Sequence, residues 1–179
     1  MAWHLFGGLG MMPFNIDTDP GLPNFMARAK ARIPDLVLHG PFRDYQSGQI
    51  AAEIDKLPPE DHVFVVGTSL SANDVFIVCG YTKRQIKGAF MFQASSYGPA
   101  SEAPPNVEFA HLIYSFCPLP LPFLGTYKPL PGHLIVADRY AAGVTYVQTL
   151  SNDPHPGDGV LKNQMLFIAD MERIKAQVV

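Results

Sequence analysis

Cysteine is scarce in this chain. Only Cys79 and Cys117 occur in 179 residues, with no C-x-x-C, no H-E-x-x-H and no His/Cys cluster. That excludes a disulfide framework and gives no metal-ligand spacing, so no metal and no cofactor are expected. Two free buried thiols in a reducing, cytoplasmic setting are the plainer expectation. Charge is also sparse: Asp, Glu, Lys and Arg make up 16% of the chain and the net charge is −3. No basic surface argues for nucleic acid. No apolar run reaches the roughly 18–20 residues of a membrane span. The first residues, MAWHLFGGLGMM, are apolar but lack a leading Lys or Arg and an A-x-A site, so no signal peptide is expected.

Hydrophobic residues, by contrast, reach 47%. With no repeat and no visible linker, residues 1–179 read as one domain, long enough to bury a real core. Strand and helix signals alternate along it. Ala2 to Phe6 reads as a strand stopped by Gly7-Gly8-Leu9-Gly10, and Pro23 to Arg32 as a helix with basic residues toward its end. Asp35 to His39 is a second strand closed by Gly40-Pro41, and Gln46 to Leu57 a helix ended by Pro58-Pro59. Val63 to Val66, Gly88 to Ala94, Val107 to Phe116 and Thr145 to Leu150 are further strands. Ala72 to Tyr81 and Gln164 to Ala176 are further helices, the first apolar on most sides and expected to be buried. Apolar, non-alternating strands separated by helix-length segments predict a mostly parallel six-stranded sheet with helices on both faces, a three-layer α/β/α sandwich. Residues Ser95–Asn106 read as a surface loop. Cys117–Gly132, with five prolines, cannot be an ordinary helix.

The chemistry-bearing signal is His62–Ser69, HVFVVGTS. A buried strand stops at Gly67, presents Ser69 on a tight turn and re-enters as a helix. That is how G-x-S-x-G enzymes hold a serine nucleophile. Here Ser71 stands where the last glycine would be. His155 sits in the polar, turn-rich stretch Asn152–Asp158, a setting that suits a catalytic base. Glycines at 7, 8 and 10 allow close backbone approach to a ligand, but G-G-L-G without a following Lys-Ser/Thr is not a P-loop. A plainer origin exists for each feature: a helix-capping hydroxyl pair, an exposed loop histidine, an ordinary strand-to-helix connection.

With these residues placed, the chain resembles the α/β-hydrolase superfamily, specifically its smallest, cap-less lipases and esterases. Their chain order is strand, glycine-rich oxyanion loop, helix, strand, helix, strand, nucleophile elbow. The resemblance implies a serine hydrolase acting on small-molecule carboxylic esters without a cofactor. Ser69 is the implied nucleophile and His155 the implied base, with the backbone N–H groups of Gly8 and Leu70 as the oxyanion hole. The family places its acid after the strand that matches His111–Ser115, yet Phe116 to Gly132 contains no Asp or Glu. Some members carry the acid one strand earlier, where Glu102 lies; Asp138 and Asp153 are the other carboxylates in range. The missing acid keeps an alternative open: a catalytically silent relative with a binding or assembly role, meeting a protein partner through the apolar 117–131 segment. Ser71-Ala72-Asn73-Asp74 and Asp153-Pro154-His155-Pro156 also invite comparison with the SGNH esterases. Those need a G-D-S near the first strand, which Met1–Asp19 lacks.

Overall fold

The computed structural model describes residues 1–9, 21–43, 46–68, 70–92, 103–115, 120–121, 125–126, 145–151 and 161–178. In chain order the elements are β1 (Trp3–Leu9), α1 (Gly21–Arg32), β2 (Leu36–Arg43), α2 (Ser47–Asp55), β3 (His62–Thr68), α3 (Leu70–Tyr81), β4 (Gly88–Phe92), β5 (Phe109–Ser115), β6 (Pro120–Leu121), β7 (Gly125–Thr126), β8 (Thr145–Ser151) and α4 (Leu161–Ala176). The main sheet runs β2-β1-β3-β4-β5-β8, and each neighbouring pair is parallel. The short strands β6 and β7 form a separate antiparallel pair inside the proline-rich stretch.

The α/β character and the parallel sheet follow from the sequence reading, and the reason lies in the core. Alternate residues of β1, β3, β4 and β5 feed two apolar layers. On one face Trp3, Leu5, Phe64, Val66, Phe90, Phe92, Phe109 and Ile113 pack with α1 and α4. On the other, Phe6, Val63, Val65, Ala89, Met91, Ala110 and Leu112 pack with α2 and α3. Both faces of these four strands are therefore covered, which is why they read as apolar runs. The first layer is built on aromatics. Phe92 lies 4.2 Å from Phe167 and 5.3 Å edge-on from Phe25, ring centre to ring centre. The second is mainly aliphatic.

Several boundaries differ from the sequence reading. Strand β1 does not stop at Phe6; it runs through Gly7 and Gly8 to Leu9, because both neighbours continue to pair with it. Strand β2 does not close at Gly40-Pro41 but continues to Arg43. Its register against β1 shifts by one residue between Phe6 and Gly8, and Gly40, at φ 100° before a cis Pro41, absorbs the extra residue. Helix α3 is not wholly buried: Val75, Phe76, Val78 and Cys79 face the core, whereas Ile77 and Tyr81 are exposed. None of the helices among the described residues is long and apolar enough to cross a membrane.

Candidate functional site

The strand order reverses between β1 and β3: β2 lies on one side of β1, and β3 to β8 follow on the other. In open α/β sheets such a reversal opens a crevice at the carboxyl ends of the strands. Here that crevice is bordered by glycine. Gly8 of β1 lies in register with Gly67 of β3, so two neighbouring backbones present no side chain there. Gly7, one residue earlier, is tightly enclosed: an added Cβ would come within 2.6 Å of Met26 Sδ on α1. Helix α3 begins at Leu70, directly beyond Thr68, with no acidic residue in its first turn. Its leading N–H groups carry the positive end of the helix dipole and have no partner within the helix. Gly8 and Leu70, the two implied oxyanion donors, thus reach the same end of adjacent elements. Ser69, His155 and Glu102 lie outside the described residues, as do Asp138, Asp153 and Cys117.

Thr68 ends β3. Phe64 and Val66, four and two residues before it, face the α1/α4 layer, and Thr68 lies in register with Phe92 of that same layer. The pleat therefore turns its side chain toward α1 and α4. It is buried, and its Oγ1 has no hydrogen-bond partner among the described residues. Sequence reading treated this hydroxyl only as a helix cap. Nothing local marks it otherwise, because its burial depends on Phe92 and the two helices.

Among the described residues, other polar groups are paired and lie away from this crevice. His111 Nδ1–H donates to Asp170 Oδ2 at 2.6 Å, and Arg173 donates to the other carboxylate oxygen at 3.2 Å. This pair has the chemistry of a histidine and its acid. His111, however, lies in register with Phe90, one pleat below Phe92 and two strands from β3, so about 10 Å of sheet separates it from the carboxyl end of that strand. It is a buried tie between β5 and α4. Cys79 is free and fully buried in α3, and burial pushes its thiol pKa well up, so it is no nucleophile. Among the described residues no group of three or more His, Cys, Asp or Glu could hold a metal. At the N-terminal ends of the strands, Asp61 Oδ2 accepts from His4 Nε2 at 3.0 Å and His4 Nδ1 meets His39 Nε2 at 2.9 Å. Their linkage was invisible in the sequence because the three residues come from separate segments.

No family model, curated protein or solved structure matches this chain.

Proposed function

We propose that the chain is a small serine hydrolase of carboxylic esters built on a minimal α/β-hydrolase plan. The observation that carries the reading is the β3–α3 join. Only Ser69 separates the last strand residue, Thr68, from the first helical residue, Leu70, at the carboxyl end of a strand flanked by β1 and β4. A single residue between strand and helix is what a nucleophile elbow requires. The chain order agrees: β1 with its glycines, α1, β2, α2, β3, then the join. In this mechanism Ser69 Oγ attacks the acyl carbon while His155 accepts its proton. The Leu70 and Gly8 N–H groups hold the oxyanion that forms. His155 then protonates the leaving alcohol, and water releases the acid by the same steps. Glu102 or a neutral acceptor orients His155.

A serine-directed fluorophosphonate tests this. The native chain should be labelled, while Ser69→Ala and His155→Ala, both folded by circular dichroism, should not. Equal labelling of the native chain and Ser69→Ala, or of neither, refutes the nucleophile and leaves the silent-relative reading in its place.

A further inference from the structure

The Thr68 hydroxyl, without a partner among the described residues, is costly in its place. A buried polar group without a partner carries its full desolvation penalty, and native folds retain few. Thr68 is 3% exposed. Its in-register neighbour is Phe92, whose ring packs on Phe25 and Phe167. The layer around it is built mainly of apolar side chains, and none of the described residues pairs with the hydroxyl. A valine would fill the same volume without the penalty, yet the chain keeps threonine at the last position of β3. On α4, whose apolar residues share this layer, the buried amide of Gln164 is already engaged. Gln164 Nε2 donates to the Gly21 carbonyl at 3.2 Å, and its Oε1 accepts from Arg28 at 2.6 Å. Thr68 is the last residue of β3, so its hydroxyl sits at the carboxyl edge of the sheet, the side on which β3 passes into α3.

We propose that Thr68 Oγ1–H is a ligand-binding donor of this site, paired when the carboxyl group of a substrate ester or product acid occupies it and unpaired otherwise. The location rests on the hydrolase reading above, and the chemistry follows from the hydroxyl. A carboxyl oxygen accepts hydrogen bonds, and the α3 N-terminus and the glycine-lined strand ends beside Thr68 favour a partly negative oxygen.

Thr68→Val and Thr68→Ser separate this from a packing role. Thr68→Val should melt at or above the wild-type temperature, because it removes an unpaired group without changing volume, and should react with fluorophosphonate about tenfold more slowly. Thr68→Ser should keep the wild-type rate within about threefold, a loss smaller than that of one hydrogen bond. A second arm does not need the nucleophile. In the Ser69→Ala background, butyrate at constant ionic strength should raise the melting temperature, and adding Thr68→Val should abolish that rise. A lower melting temperature for Thr68→Val overturns the proposal, since the hydroxyl is then paired at rest. An unchanged butyrate response in the double variant overturns it too, even if native Ser69 is labelled. Lost butyrate stabilisation with no labelling of the native chain keeps the binding role and removes the hydrolase reading.

Discussion

The two ends of the sheet are built on opposite plans. At the N-terminal ends of the strands the polar groups are tied together. Asp61 accepts from the Ala2 N–H at 2.6 Å and from His4. Arg84 donates to the carbonyls of Leu57, Pro58 and Asp61. Asn106 Nδ2 reaches the carbonyls of Cys79, Thr82 and Arg84 at 2.7–3.2 Å. At the carboxyl end, among the described residues, Gly8 faces Gly67 and the Thr68 hydroxyl has no partner. Side-chain hydrogen bonds therefore close the loops at the N-terminal end, while the described residues of the carboxyl end offer strand-end glycines and a buried hydroxyl. On the proposed reading, stability and ligand chemistry are separated in space, so substitutions at the two ends should fail in different ways.

The largest expected effect is at the open end. Ser69→Ala should lower ester turnover by more than about 10⁴-fold, the scale of removing a nucleophile, with an unchanged denaturation midpoint. Turnover and a urea titration on the same preparation check both halves. A large stability loss in this variant would erase the contrast between the ends.

The closed end should respond in stability alone. Asn106→Ala strands three carbonyls that its amide now serves and should cost about 2–3 kcal/mol in urea denaturation. Its labelling rate per folded molecule should stay at the wild-type value. If labelling falls in step, the two ends are coupled.

Between these extremes lie two glycines at the β1–β2 boundary. An alanine Cβ at Gly40 would sit 2.6 Å from the Gly7 carbonyl oxygen, and the backbone there has φ 100°, so neither side can yield. Gly40→Ala should cost about 2–3 kcal/mol. At Gly7 the obstacle is Met26 Sδ, toward the end of a flexible side chain, and Gly7→Ala should cost only about 1 kcal/mol. Thermal or urea midpoints of the pair check the order, and a reversed order would mean that Met26 cannot move aside.

What the sequence made legible follows from range. The strands were readable because Val63–Val66 and Gly88–Phe92 are continuous apolar runs, and burial on both faces demands that. Glycines misled at the ends of β1 and β2. Locally they signal a stop, but a parallel ladder on both sides carries β1 through Gly7 and Gly8. The Gly-Thr-Ser join was readable because strand, turn and helix are contiguous. The Asp61–His4–His39 link, the His111–Asp170 tie and the orphan Thr68 hydroxyl were not, since each depends on residues brought together by the sheet.

The smallest effect concerns protons at the closed end. Burial and the neighbouring His4 lower the pKa of His39, against a smaller opposing pull from Glu53 on α2. When both imidazoles are neutral, His4 Nε2–H donates to Asp61 and His4 Nδ1 accepts from His39 Nε2–H. A folded-state pKa below the unfolded value of about 6.5 means that the unfolded chain binds the proton more readily. Stability is therefore full above about pH 6.5 and declines as pH falls through the lowered folded value. His62, also lowered by burial and by Lys87, adds a slope of the same sign. Asp61 acts elsewhere. Its carboxyl is held low, first by the Ala2 N–H, so its stabilisation persists above about pH 4 and is lost only below that. His39→Gln should thus flatten part of the stability slope between about pH 7 and 5, leaving the His62 share and the acid limb near pH 4 in place. Urea midpoints at half-unit pH steps measure this. Identical slopes for wild type and His39→Gln would show that His39 titrates alike in both states, and that the closed end is held by its fixed hydrogen bonds alone.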